Sequence, residues 1–232
     1  VSGSAQSRAG RGLAVFDMDG TLIDGDCGVL FVRHCVARGL LPARELLAWG
    51  RWLLRAAREG AGPPVVAQAK RNLLRVWRRL GEEQGDALYD RFFAEVLRPR
   101  VRAVVAAELR HAQREGEVYL LTANLRRMAQ RLGRELGVPP GQCLGAEPRG
   151  ALTEEIALPI LMGDARAHRV SALAGELGVP LREVRAYGDS IHDAPMLRLA
   201  GRPCAVYPSP ALRHLALREG WRVISSVREE LP

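Results

Sequence analysis

Lysine is nearly missing from this chain: of 34 basic residues in 232, only Lys70 is a lysine. A formal charge of +8 and a pI near 10.1 would by themselves invite a nucleic-acid or anionic-membrane partner. The excess, however, is arginine distributed along the whole chain, and no zinc-finger, KH or RNP-like signature accompanies it. No nucleic-acid partner is expected, and a general attraction for small anionic substrates explains the charge equally well. Cysteine is sparse too. Cys27, Cys35, Cys143 and Cys204 form no C-x-x-C pair, which argues against a disulfide scaffold or structural zinc and suits a reduced, cytoplasmic setting. No apolar run approaches the length of a membrane span, and the opening residues VSGSAQSRAGRG lack the apolar core of a signal peptide. Residues 1–12 are expected to be a flexible leader. Internal repeats and low-complexity tracts are absent as well. The hydrophobic share, 47%, can fill the core of one large or two modest domains.

Against these absences stands one dense stretch, LAVFDMDGTLIDGD, from Leu13 to Asp26. Leu13 to Phe16 read as a buried strand, a short apolar run closed by turn residues. Asp17 and Asp19 follow in the turn, and Gly20 permits a backbone path that other residues resist. Two carboxylates so close repel each other, and a hard cation relieves that repulsion. Farther on, VYLLTAN reads as a strand ending at Thr122, with Asn124 two residues later. YGDSIHDAPML then places Asp189 and Asp193 four apart after another apolar strand. The second acid pair also fits a helix cap with its first-turn acid.

Between these motifs the chain changes character. From about Cys27 to Arg98 every pattern is helical, with Pro42 suited to a first helical turn and a break at Gly60, Gly62, Pro63 and Pro64. The aromatics Trp49, Trp52, Trp77, Phe92 and Phe93 are assigned to helix packing rather than to a ligand cage. The arginine stripe at 51, 55 and 58 is read as a solvated face. After Pro99 helix and strand alternate: a helix over 101–114, the strand to Thr122, a helix over 126–136, a strand near 142–146, a hairpin turn at PRGALTE, a helix over 165–177, and strands before Asp189 and at 203–207. Such alternation predicts an α/β fold with a parallel sheet covered by helices, its site at the carboxyl ends of the strands.

In this order, DMDGTL, a strand ending in Thr122 and GDSIHD resemble the signatures of the haloacid dehalogenase superfamily, in its phosphoserine phosphatase-like branch with a helical cap. The resemblance covers about Leu13 to Ile224. It implies a Rossmann-like core of residues 1–25 and 100–232 with a cap of residues 26–99. It further implies a magnesium-dependent phosphomonoester hydrolase acting through an aspartyl-phosphate on a small phosphorylated metabolite. Asp17 then matches the nucleophile and Asp19 the general acid/base. Asp17, Asp189 and the carbonyl of Asp19 match the magnesium ligands, and Asp193 their support. Thr122 matches a phosphate-holding hydroxyl, with Asn124 and Gly20 as supporting groups. Asp26 falls where the branch carries a glutamate for a substrate ammonium, so an amine-bearing substrate such as phosphoserine is one candidate; Asp24 and Asp26 fit a helix cap equally well. The usual third-signature lysine is missing. Counted back from ALAGELGV, its place falls on Arg169, with Arg166 and His168 nearby, and that departure keeps open a catalytically weak relative that binds a phosphorylated ligand or protein partner. A phosphotransferase using the same aspartyl-phosphate is a further reading.

Overall fold

The computed structural model describes residues 12–59, 63–148, 160–225 and 229–230. Strand β1 (Gly12–Asp17) lies inside a seven-stranded sheet, between β2 (Gly116–Leu125) and β4 (Arg185–Gly188). The order runs β3 (Cys143–Ala146), β2, β1, β4, β5 (Arg202–Val206), β6 (Arg222–Ile224), β7 (Glu229–Glu230); the first six are mutually parallel and β7 is antiparallel to β6. The continuous apolar run of β1 is explained by burial on both sides. Ala14 and Phe16 join one core, whereas Leu13 and Val15 join the other. Chain order reverses at β1, with β2 on one side and β4 on the other. Ligands enter open α/β sheets outside the carboxyl ends of strands at such a switch.

Helices α5 (Ala103–Glu115), α6 (Arg126–Leu136), α7 (Asp164–Leu177), α8 (Ala194–Leu199) and α9 (Pro210–Arg218) accompany the sheet. Helices α1 (Cys27–Ala37), α2 (Ala43–Glu59), α3 (Pro63–Leu80) and α4 (Glu82–Phe92) form the insertion after β1. The chain enters and leaves this insertion side by side. Asp24 N–H donates to the Arg100 carbonyl at 2.9 Å, and Arg102 N–H donates to that of Leu22 at 2.9 Å. The expected elements thus recur with shifts of a few residues at their ends, apart from β2, which continues past Thr122 to Leu125. The expected turn at PRGALTE falls largely outside the described residues, as does the leader up to residue 11.

All four cysteines are buried and free. Among the described residues no helix is long and apolar enough to cross a membrane. The aromatic assignment to packing holds. Trp77, Phe92 and Phe93 are buried packing groups, and Phe31 meets Phe92 edge-on at 5.2 Å. Trp49 is buried in the same core and Trp52 packs against it, and both also line a cavity.

Candidate active site

Asp17 ends β1 and is 4% exposed. The turn after it folds back tightly: Gly20 N–H donates to the carbonyls of Ile23 at 2.9 Å and Gly25 at 3.1 Å. Gly20 has φ +83°, and a Cβ there would lie 2.1 Å from Asp189 Oδ2. Glycine is therefore required for both the backbone path and the approach of the second acidic motif. Asp17, Asp189 and Asp193 offer carboxylate oxygens within 4.8 Å of one another.

Arg166 is the cation brought to this cluster. It is 4% exposed, its Nη1 lies 2.8 Å from Asp17 Oδ1 and also pairs with Asp193, and its Nε donates to the Leu161 carbonyl at 3.1 Å. The placement on Arg169 is thereby corrected. Arg169 is turned to the surface, pairing with Glu176 at 2.8 Å, and His168 is exposed. Helical phase is the reason. Arg166 shares the buried stripe of α7 with Val170, Leu173 and Ala174, while Arg169 and Glu176, seven apart, lie on the wet side.

Asp193 is an organising acid. Its Oδ2 accepts from Asp189 N–H at 3.1 Å, Ser190 N–H at 3.0 Å and the Ser190 hydroxyl at 3.1 Å, while Oδ1 takes Arg166. Asp193 thus takes four hydrogen bonds, whereas Asp17 and Asp189 share the Thr21 hydroxyl at 3.3 and 3.4 Å and keep more capacity to hold a cation. An oxygen-only set suits magnesium. Burial, then the neighbouring Asp193, pushes Asp189 up to about 7. Burial also raises Asp17, against the lowering effect of Arg166.

That shift fixes the sign of a metal test. The Asp189 carboxyl is held above its ordinary value of 3.8, so its contribution to stability is present at low pH and is lost as pH rises through about 7. A divalent cation relieves the repulsion that then remains. At pH 8, saturating magnesium should raise the melting temperature by about 5 °C over chelated protein; at pH 5, protons compete and the shift should largely vanish. Equal shifts at both pH values, or none at pH 8, would contradict this assignment.

Asp19 faces the other way, towards the helical insertion. Its Oδ1 accepts from Cys27 N–H at 2.7 Å, at the start of α1. Its Oδ2 accepts from the Thr122 hydroxyl at 3.2 Å and Asn124 Nδ2 at 3.4 Å. Thr122 and Asn124 are fully buried, and in this structure they hold Asp19. Burial raises the Asp19 carboxyl, Asp26 adds to that, and Lys70 opposes it. Asp26 caps α1, accepting from Val29 N–H at 2.8 Å, and also lines the cavity; Asp24 is exposed and pairs with Arg102 at 2.8 Å.

A cavity of about 460 Å³ opens over these groups. Its floor includes Asp17, Asp19, Asp189 and Arg166, and α1, α2 and α3 contribute walls. Lys70, 6% exposed on α3, lines it as well. The sequence reading passed over this residue, although Lys70 shares a buried face with Leu73 and Trp77, where a cation calls for a reason.

The haloacid dehalogenase-like hydrolase family model matches residues 14–198. A phosphoserine phosphatase of Mycobacterium tuberculosis is 31% identical over 217 residues, 90% of this chain and 69% of its own length. A histidinol-phosphatase of Neisseria meningitidis is 25% identical over 221 residues, 93% of this chain and 99% of its own. A crystal structure of a protein with unknown function from Bordetella pertussis Tohama I has a TM-score of 0.79 at 25% identity, covering 93% of this chain and 98% of that one. With the matched family model spanning the acidic motifs of β1 and β4 and the Arg166 turn of α7, the chain belongs to the haloacid dehalogenase-like hydrolases and is an enzyme of their phosphatase type.

Proposed function

We propose that the protein is a magnesium-dependent phosphomonoester hydrolase that carries the phosphoryl group transiently on Asp17. The observation that carries this reading is the buried Asp17 with Arg166 Nη1 at 2.8 Å from one oxygen and Asp189 beside it, on the floor of an open cavity. A carboxylate attacks phosphorus only when the negative charge of the phosphate is masked. Arg166 supplies one fixed positive charge there. Magnesium held by Asp17 and Asp189, with the carbonyl of Asp19, would supply the rest as a Lewis acid.

In the first step an Asp17 oxygen bonds to phosphorus and the ester P–O bond breaks; Asp19 gives its proton to the departing oxygen. In the second, Asp19, now a carboxylate, takes a proton from water as the water oxygen attacks phosphorus. Phosphate leaves, and Asp17 is restored. Burial favours the protonated Asp19 that the first step requires, and the Thr122, Asn124 and Cys27 donors orient it. Asn124 and Thr122 thus act on Asp19, besides any contact with phosphate. The four helices of residues 26–99 serve as a cap that excludes water and selects the leaving group.

The substrate is a small phosphorylated metabolite. The relatives' names differ in the alcohol released, and phosphoserine is one candidate, with Asp26 as its ammonium partner. The reading as a weakly active binder rests on the missing lysine; Arg166 puts a positive charge beside Asp17 in its place, which supports the enzyme reading. Phosphate release from para-nitrophenyl phosphate is the test. It should occur with magnesium and stop with chelator; equal rates in both, or transfer of the phosphoryl group to an added alcohol in place of water, would overturn the reading.

A further inference from the structure

Among the described residues the cavity has both a charged and a largely apolar lining. Asp17, Asp19, Asp189 and Arg166 supply the acidic cluster and its cation, whereas Val29, Trp49, Trp52 and Val66 from the helical insertion, with Met162, supply apolar lining. Trp49 and Trp52 meet edge-on, 5.4 Å between ring centroids and 81° between planes, making an aromatic corner. Lys70 on α3 and Asp26 at the start of α1 add one charge of each sign to the lining. A phospho-amino acid would put a zwitterionic leaving group of three carbons into this space. Pairing with Lys70 and Asp26 would use only the charged lining, leaving the tryptophan wall without a partner and much of about 460 Å³ unfilled. A bulky hydrocarbon or aromatic group gains from the same wall, in proportion to the apolar area it buries.

We infer that the substrate is the phosphate monoester of a bulky, mainly apolar or aromatic alcohol, with Trp49, Trp52 and Val66 holding the leaving group. This rests on the phosphatase reading and narrows it to a substrate class. Naphthylethyl phosphate, ethyl phosphate and O-phosphoserine form a suitable panel, since the first two release alcohols of similar acidity and differ in apolar bulk. With magnesium present, kcat/KM for naphthylethyl phosphate should exceed that for each of the others by on the order of fiftyfold or more. Trp52→Ala should shrink the naphthylethyl-to-ethyl ratio about tenfold, and Trp52→Phe should restore most of it. Because Trp52 is only partly buried and the readout is a ratio within one preparation, lost folding would not mimic the effect. Phosphoserine or ethyl phosphate as the better substrate would overturn the inference and leave the phosphatase reading standing, as would a ratio unmoved by Trp52→Ala. Hydrolysis of none of the three, nor of para-nitrophenyl phosphate, would bring down both.

Discussion

Asp17→Asn is expected to lower phosphate release at least a thousandfold, since an amide oxygen cannot serve as the nucleophile and the remaining groups only position and polarise. The protein should stay folded and melt no earlier than the parent in the absence of metal. The reason is electrostatic. The parent buries an Asp17 carboxyl raised by desolvation and by Asp193, Asp189 and Asp19, so a neutral isostere removes a repulsion. Arg166 keeps Asp193 and the Leu161 carbonyl as partners. Activity within a few fold of the parent would exclude Asp17 as nucleophile, and a collapse of the fold would show that its ion pair outweighs the repulsion.

The second large effect concerns the cation. Arg166→Ala should slow turnover on the order of a hundredfold to a thousandfold, the scale seen when one preorganised charge is taken from a transition state. It should also destabilise by about 3–5 kcal/mol, because buried Asp17 and Asp193 lose their common partner. Burial raises the Asp17 carboxyl, so its protonation limits the loss, which should be smaller at pH 5 than at pH 8. Arg166→Lys should keep part of the activity: an ammonium supplies the charge but not the fork that reaches Asp17, Asp193 and the Leu161 carbonyl together. Arg169→Ala should stay within about twofold of the parent, its pair with Glu176 being a surface ion pair. Steady-state kinetics and thermal melts on the three variants decide the matter. An Arg169→Ala defect equal to that of Arg166→Ala would contradict it.

The acidic motifs were legible because their chemistry is local. A strand, a turn and its carboxylates lie within a few residues, and two-sided burial of β1 leaves an uninterrupted apolar run. The order of helix and strand was legible for the same reason. The cation was harder, because the groups it serves come from β1 and from the turn after β4, both distant in sequence. Counting along α7 set the residue one turn too late, although the stripe Arg166, Val170, Leu173 and Ala174 was there to be read. Lys70 was passed over in a helix crowded with arginines. Trp49 and Trp52 belong to helix packing as their pattern indicates, but an amphipathic pattern cannot show that they also wall a cavity. The commitment of Thr122 to Asp19 depends on a pairing across 103 residues.

The claim that unites these features is that the phosphoryl group passes through Asp17. Mixing the protein with magnesium and a rapidly turned-over phosphomonoester, quenching in acid within the first turnovers and mapping the peptides by mass spectrometry tests it directly. The peptide containing Asp17 should carry an acid-stable, hydroxylamine-labile phosphoryl group, which disappears on incubation with hydroxylamine and never forms in Asp17→Asn. Rapid release of phosphate with no phosphoryl group on that peptide, or with one on another residue, would contradict the mechanism.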